Sequence, residues 1–208
     1  ECRACKSECP VGVDVARFKS EFLAGYWERH GLTLRAHAFG HAHSASALGS
    51  RFAPLSNVIA GSKAVRWVME RTIGVDRRRT LPAWTRNTLR KRYPPKNGHQ
   101  KDGVSGALLF VDTFTDYEAP EIGVAAVDVL NASGLPTALA PNVCCGRPLI
   151  SQGLLSEARR QAAANVHALF DAANAGRSIV FVEPSCLSAL REDAPDLLRG
   201  ELQQRARV

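Results

Sequence analysis

Six cysteines fall in two groups, and their spacing is the chemistry this chain offers. Cys2, Cys5 and Cys9 read C-x2-C-x3-C, with Pro10 directly after. That is the last part of the run C-x2-C-x2-C-x3-C-P, in which thiolates hold 4Fe–4S clusters. The first cysteine of such a run would stand two residues before Glu1, so the chain is expected to be an internal piece of a longer protein. Zinc is the rival for these three thiols; it would want a fourth ligand, and the trailing Pro10 favours the iron–sulfur reading. The second group is Cys144-Cys145-Gly146 together with Cys186, which follows Glu183-Pro184-Ser185. An adjacent cysteine pair can also be two small buried hydrophobes or a strained vicinal disulfide. Cys186 on the same sheet edge tips that balance toward metal ligation.

The elements that must position these thiols can be read from periodicity. From residue 106 the pattern predicts strands at 107–111, 137–140 and 178–182. Helices are expected between them at 120–131 and 156–175, the latter with Ala158, Ala162, Val166 and Phe170 on one face. Strand and helix in alternation imply βαβ units and a parallel sheet. In such a sheet the segments after the strands gather at one edge, where ligands bind. Asp112 to Thr115 follow the first strand, Cys144 and Cys145 the second, and Cys186 the third. The three thiols should therefore share one pocket, bordered by Thr113 or Thr115. Each is expected ahead of a helix, whose N-terminal field lowers a thiol's pKa. Gly146 permits a tight turn there, and Pro148 can fix the loop.

Residues 1–75 read as helical. Asp14 is the expected N-cap of a helix that presents Val15, Phe18, Phe22, Leu23, Tyr26 and Trp27 on one face and stops at Gly31. A second helix is expected at 57–72, with Val58, Ile59, Val65, Val68 and Met69 facing inward and Gly74 as its stop. Residues 76–104, basic and carrying Pro82, Pro94, Pro95 and Gly98, read as a linker or surface-wrapping segment. The expected organisation is thus 1–75 helical, 76–104 basic linker and 105–208 α/β. The fold class is α/β, a helical N-terminal part followed by a parallel βαβαβ domain.

Charge is uneven. Residues 1–102 hold 19 Lys and Arg against 8 Asp and Glu, and residues 103–208 hold 8 against 12. Such asymmetry can mark nucleic acid or an anionic surface, but no nucleic-acid fold signature accompanies it. The basic stretch reads as docking on acidic parts of a larger protein, and no nucleic-acid partner is expected. Clustered cysteines in a chain of ordinary size point to a reducing compartment and to metal or redox chemistry. His37 and His41, spaced i,i+4, could share a metal on a helix. With no cysteine or carboxylate near them in sequence, they and His43 read as solvated or packed histidines. No nucleophile elbow, P-loop or dinucleotide fingerprint is present, so no catalytic residue is assigned.

The residues carry a resemblance. Cys5-Lys-Ser-Glu-Cys9-Pro10-Val-Gly-Val-Asp14 with Phe18-Lys-Ser-Glu-Phe22-Leu23 resembles the ferredoxin-like part of bacterial FAD-linked 2-hydroxyacid oxidoreductases, the D-lactate and D-2-hydroxyglutarate dehydrogenase-like proteins. Phe110-Val-Asp112-Thr-Phe-Thr115, Cys144-Cys145-Gly146-Arg-Pro-Leu-Ile150-Ser-Gln-Gly153 and Glu183-Pro-Ser-Cys186 resemble the first half of their cysteine-rich CCG domain. The same domain occurs in glycolate oxidase and anaerobic glycerol-3-phosphate dehydrogenase iron–sulfur subunits and in heterodisulfide reductase. The resemblance implies electron transfer from a flavin through 4Fe–4S clusters to an external acceptor such as a quinone. By position, Cys2 and Cys5 would match ligands of one cluster and Cys9 a ligand of another. Cys144, Cys145 and Cys186 would match half of the CCG site. The FAD domain and the second CCG half would be partners from the rest of the parent protein. The location implied is cytoplasmic, with room for peripheral contact at the inner face of the membrane. A zinc-stabilised interaction module is the alternative of another class.

Overall fold

The computed structural model describes residues 8–94 and 106–208. Cys2 and Cys5, and the end of the basic stretch, lie outside the described residues.

The three strands are β1 (Ala107–Phe110), β2 (Thr137–Leu139) and β3 (Ser178–Phe181), in the order β2-β1-β3. Both pairings are parallel, with Leu108 opposite Ala138 on one side and Ile179 on the other. The fold is therefore mixed α/β around a small parallel sheet, as the alternating pattern predicts. Because β2 and β3 flank β1, the two crossovers pass over opposite faces. The connection from β1 to β2 carries α7 (Thr113–Tyr117) and α8 (Pro120–Ala132). That from β2 to β3 carries α9 (Arg147–Ser151) and α10 (Leu155–Asn174). Side-chain alternation sorts the core accordingly. Leu108 and Phe110 pack with Leu169 of α10, while Leu109 and Val111 pack with Val127 of α8. After β3 come α11 (Pro184–Ser188), a π turn at Ala189–Asp193, α12 (Ala194–Leu197) and α13 (Gly200–Arg205).

The described N-terminal part is built of α1 (Val15–His30), α2 (Leu34–Gly40), α3 (Ala42–Arg51), α4 (Leu55–Gly61) and α5 (Lys63–Ile73). Asp14 caps α1 by accepting from the Arg17 amide at 3.0 Å, and Gly31 ends it at φ 80°. Most of the apolar face read for α1 is uncovered within the chain. Val15, Phe18, Phe22 and Tyr26 are exposed, and the buried residues are Ala16 and Ser20. Small side chains on that face let the helix lie close to its neighbour. A Cβ on Gly153 (φ 76°) would stand 2.6 Å from the Leu23 Cβ, and the Trp27 indole N–H donates to the Gln152 carbonyl at 2.7 Å.

The single helix expected at 57–72 is two. Ser62 leaves helical geometry and caps α5, its hydroxyl accepting from the Val65 amide at 3.3 Å. Val58, Ile59 and Val68 face outward instead of inward. Gly74 does stop α5, in the left-handed region at φ 71°.

The basic stretch runs as a strap from α5 to the sheet. Asn57 pairs with the Trp84 backbone through both amide atoms, and the Thr85 amide donates to the Tyr117 carbonyl at 2.8 Å. The strap then forms α6 (Leu89–Arg92), whose Leu89 is fully buried against β1 and α8. Gly123 makes room for it, since a Cβ there would collide with a Leu89 methyl. Arg90 reaches below the sheet edge, its guanidinium donating to the carbonyls of Ala140 and Asn142 at 2.9 Å each.

Candidate redox thiol site

The cysteine loop between β2 and α9 is held by two buried amide side chains. Asn142 accepts from the Val111 amide at 3.0 Å and donates to the Val111 carbonyl at 2.9 Å, which ties the loop to the end of β1. Asn165 of α10, with no exposure, accepts from the Val143 amide at 3.0 Å and donates to the Cys144 carbonyl at 2.9 Å. Gly146 then turns at φ 82°, a region closed to most side chains, and α9 begins with Pro148 in its first turn.

Cys186 is brought in by α11, whose Glu183 caps the Ser185 amide at 3.1 Å. Arg147 joins the two loops. It donates to the Ser185 carbonyl and the Ser188 hydroxyl, and pairs with Asp193 at 2.6 Å. Both partners of that ion pair are buried, so each needs the other.

The result is one cluster. Cys144, Cys145 and Cys186 are buried together at the carboxyl edge of the sheet, with Leu108, Phe110, Ala140 and Leu169 around them. The Sγ atoms of Cys145 and Cys186 lie 3.0 Å apart. The Thr113 hydroxyl donates to the Cys144 sulfur at 3.8 Å. Of the two threonines expected at the border, Thr113 is the one that touches a thiol. Thr115 turns instead to Asp112, giving its proton to that carboxylate.

Electrostatics there correct one expectation. Cys186 lies within the first turn of α11 rather than ahead of a helix. The Cys144 thiol is pushed well up, first by its hydrogen bond to Cys145 and then by burial, with the Gly146 amide and the Thr113 hydroxyl pulling the other way. For Cys145 the contact with Cys144 pulls down, but Cys186 and burial push harder, leaving it at about 12. Three sulfurs at close quarters outweigh a helix terminus, so the metal-free site holds protons. Cys9, on the turn before α1, is different. The amides of Val13 and Val11 hold its thiol below the usual range, which favours a thiolate, the form that binds metal.

The donor set suits a soft metal centre: three thiols, with the Gly146 amide facing Cys144 and the Arg147 amide facing Cys145. The spacing is that of thiols closed on one another. Two sulfurs on one tetrahedral metal at about 2.3 Å each would stand roughly 3.8 Å apart. Among the described residues, no group of three or more His, Cys, Asp or Glu is arranged to hold a metal ion. Cys9 is not a member of the thiol cluster.

The histidines divide. His37 and His41 stack at 4.3 Å between ring centres, and the His41 Nε2 lies 2.9 Å from Glu157 of α10. A carboxylate does therefore meet them in space, as a junction between the two parts of the chain. His43 stands 2.9 Å from the Thr113 hydroxyl, at the edge of the thiol site. Sequence reasoning missed His43, Arg147, Asn142 and Asn165. Their partners are between 21 and 70 residues away, so no local pattern marks them. No helix among the described residues is long and apolar enough to cross a membrane.

No protein-family model matches the sequence, and no solved structure matches it. Curated proteins do. The C component of anaerobic glycerol-3-phosphate dehydrogenase from Escherichia coli (strain K12) is 31% identical over 168 residues, which is 80% of this chain and 42% of that protein. D-2-hydroxyglutarate dehydrogenase of the same strain is 25% identical over 202 residues, covering 92% of this chain and 20% of the relative. Its counterpart from Pseudomonas putida is 26% identical over 206 residues, with the same shares covered. The chain spans less than half the length of the curated relatives it matches. Dehydrogenases of both kinds that the cysteine motifs resemble are thus among the proteins it is similar to.

Proposed function

We propose that this chain is the iron–sulfur, electron-passing portion of a flavin-linked dehydrogenase whose substrate is a 2-hydroxy acid such as D-lactate or D-2-hydroxyglutarate. The observation that carries the reading is the meeting of Cys144, Cys145 and Cys186 at one sheet edge, in a chain whose relatives are dehydrogenases. A 4Fe–4S cluster, when bound, supplies single-electron transfer. Cys144, Cys145 and Cys186 would hold one centre, and Cys9 with Cys2 and Cys5 would serve the N-terminal one. The backbone amides facing the sulfurs stabilise negative charge on them, as hydrogen bonds to cluster sulfurs do. The stacked rings of Phe110 and Phe181, 4.8 Å apart, belong to the apolar shell that limits water there. FAD would lie in another part of the parent protein, with the acceptor, a quinone or other redox partner, beyond it.

A glycerol-3-phosphate type iron–sulfur protein is the second reading, favoured by the higher identity to that relative. In both readings the carbon chemistry belongs to a flavin domain, so the same experiment tests them. The chain is purified anaerobically after supply of iron and sulfide, and its metal content and visible spectrum are measured. We expect iron and sulfide, a broad brown absorbance bleached by dithionite, and loss of part of both in Cys145→Ser. With three thiols in each group, less than two full clusters per chain is expected. A colourless protein carrying zinc would overturn the redox reading in favour of a zinc-stabilised interaction module.

A further inference from the structure

The thiol site is reached by a side chain from the helical part of the molecule. His43 stands on α3, and its Nδ1 lies 2.9 Å from the hydroxyl oxygen of Thr113, the first residue of α7. That hydroxyl in turn donates to the Cys144 sulfur at 3.8 Å. A threonine hydroxyl has one proton. With the proton directed at sulfur, the oxygen must accept from the histidine, which fixes the His43 proton on Nδ1.

The surroundings suit a neutral imidazole with a fixed tautomer. His43 is half-buried, its ring packed edge-on against Tyr117 at 5.5 Å. The charges that face it are Asp116 of α7 and Arg90 of the strap, and these two pair with each other at 3.5 Å. Burial is the main influence and holds the imidazole below its ordinary pKa, with Asp116 pulling up and Arg90 pulling down.

We propose that His43 is a positioning residue for Cys144, acting through Thr113: an ordered chain Nδ1–H to Oγ–H to Sγ that aims a hydrogen bond at the sulfur. Each link polarises the next, so the donor at the sulfur is stronger than an isolated hydroxyl. Hydrogen bonds to ligating sulfurs are among the levers on a cluster's potential, and this one originates outside the α/β part. The hydrogen-bond chain stands on geometry alone; its effect on a redox centre rests on the function proposed above.

The test has two arms. In the metal-free 208-residue chain, labelled with 15N on histidine, NMR should find His43 neutral with its proton on Nδ1. Thr113→Val should speed exchange of that ring proton with water roughly fivefold, the effect of one lost hydrogen bond. Thr113→Ser should restore it. In the chain loaded with iron and sulfide, His43→Phe keeps a ring against Tyr117 and removes the donor. It should shift the midpoint potential of one centre to lower values and leave the other unmoved. A proton on Nε2 in the native chain, unchanged exchange in Thr113→Val, or an unmoved potential in His43→Phe would each overturn the proposal. A chain that takes up no iron defeats the functional reading, and the NMR arm then decides the hydrogen-bond chain by itself.

Discussion

The two parts of this molecule spend their apolar residues differently. In residues 106–208 the strand β1 is wholly buried, and both of its faces are covered by helices. In the helices α1 to α5 several large apolar side chains point outward: Phe18, Phe22, Leu34, Leu55 and Val58 are each more than half exposed. What those helices bury against the rest is small or polar, such as Ala16, Ser20, Ala36 and Ser46. The α/β part is thus held by its own core. The helical part is held by a thin layer of small residues and a few long polar contacts.

The sharpest way to break this contrast is a pair of substitutions. Leu109→Ala, at a position with 0% exposure, should cost about 2–5 kcal/mol of global stability in denaturant unfolding. Phe22→Ala, at 69% exposure, removes a larger side chain and should cost less than about 0.5 kcal/mol. Similar losses for the two would mean that the helical part has a core of its own.

A smaller effect should stay local. Asp14→Ala removes the cap of α1 and should cost about 1 kcal/mol there. Hydrogen exchange should quicken in α1 while β1 and α10 keep their protection. A matching loss of protection in the sheet would show the two parts unfolding as one unit.

The smallest effect is at the junction itself. The His41 pKa is raised, chiefly by the His37 carbonyl and then by Glu157, against the pull of burial. A raised folded pKa stabilises below the unfolded value near 6.5, and that gain is lost as pH rises through the folded value. The stability difference between the native chain and Glu157→Gln should therefore be present at about pH 5–6 and vanish on the alkaline side, roughly a few tenths of a kcal/mol for a solvent-screened pair. A difference that grows with pH would mean that His41 carries no charge in the contact.

How legible the molecule is from sequence follows the same division. β1, β2, β3 and α8 lie where alternation and turn residues place them, because a buried strand or a two-sided helix writes its environment into every second or third residue. The meeting of Cys144, Cys145 and Cys186 could be argued from strand ends alone. The outward faces of α4 and α5 could not. Periodicity finds an apolar stripe without saying whether its cover lies in the chain, and nothing in the chain covers most of Phe18, Phe22, Val58 or Ile59. The break at Ser62 was legible in principle from Gly61-Ser62, a stop followed by a cap. His43 was not, since its value depends on a threonine 70 residues on.

The clamp on the cysteine loop has one more consequence. Asn142 and Asn165 hold that loop through four backbone atoms, two of Val111 at the end of β1 and two in the loop itself, and both are amides. They have no proton to gain or lose across the range where thiols and imidazoles change charge. A carboxylate in either place would offer acceptors only, and would lend the loop a charge that competes with the sulfurs. The mounting is therefore electrically silent. When charge arrives at Cys144, the change is confined to the sulfur and the groups aimed at it, and the frame beneath stays as it was.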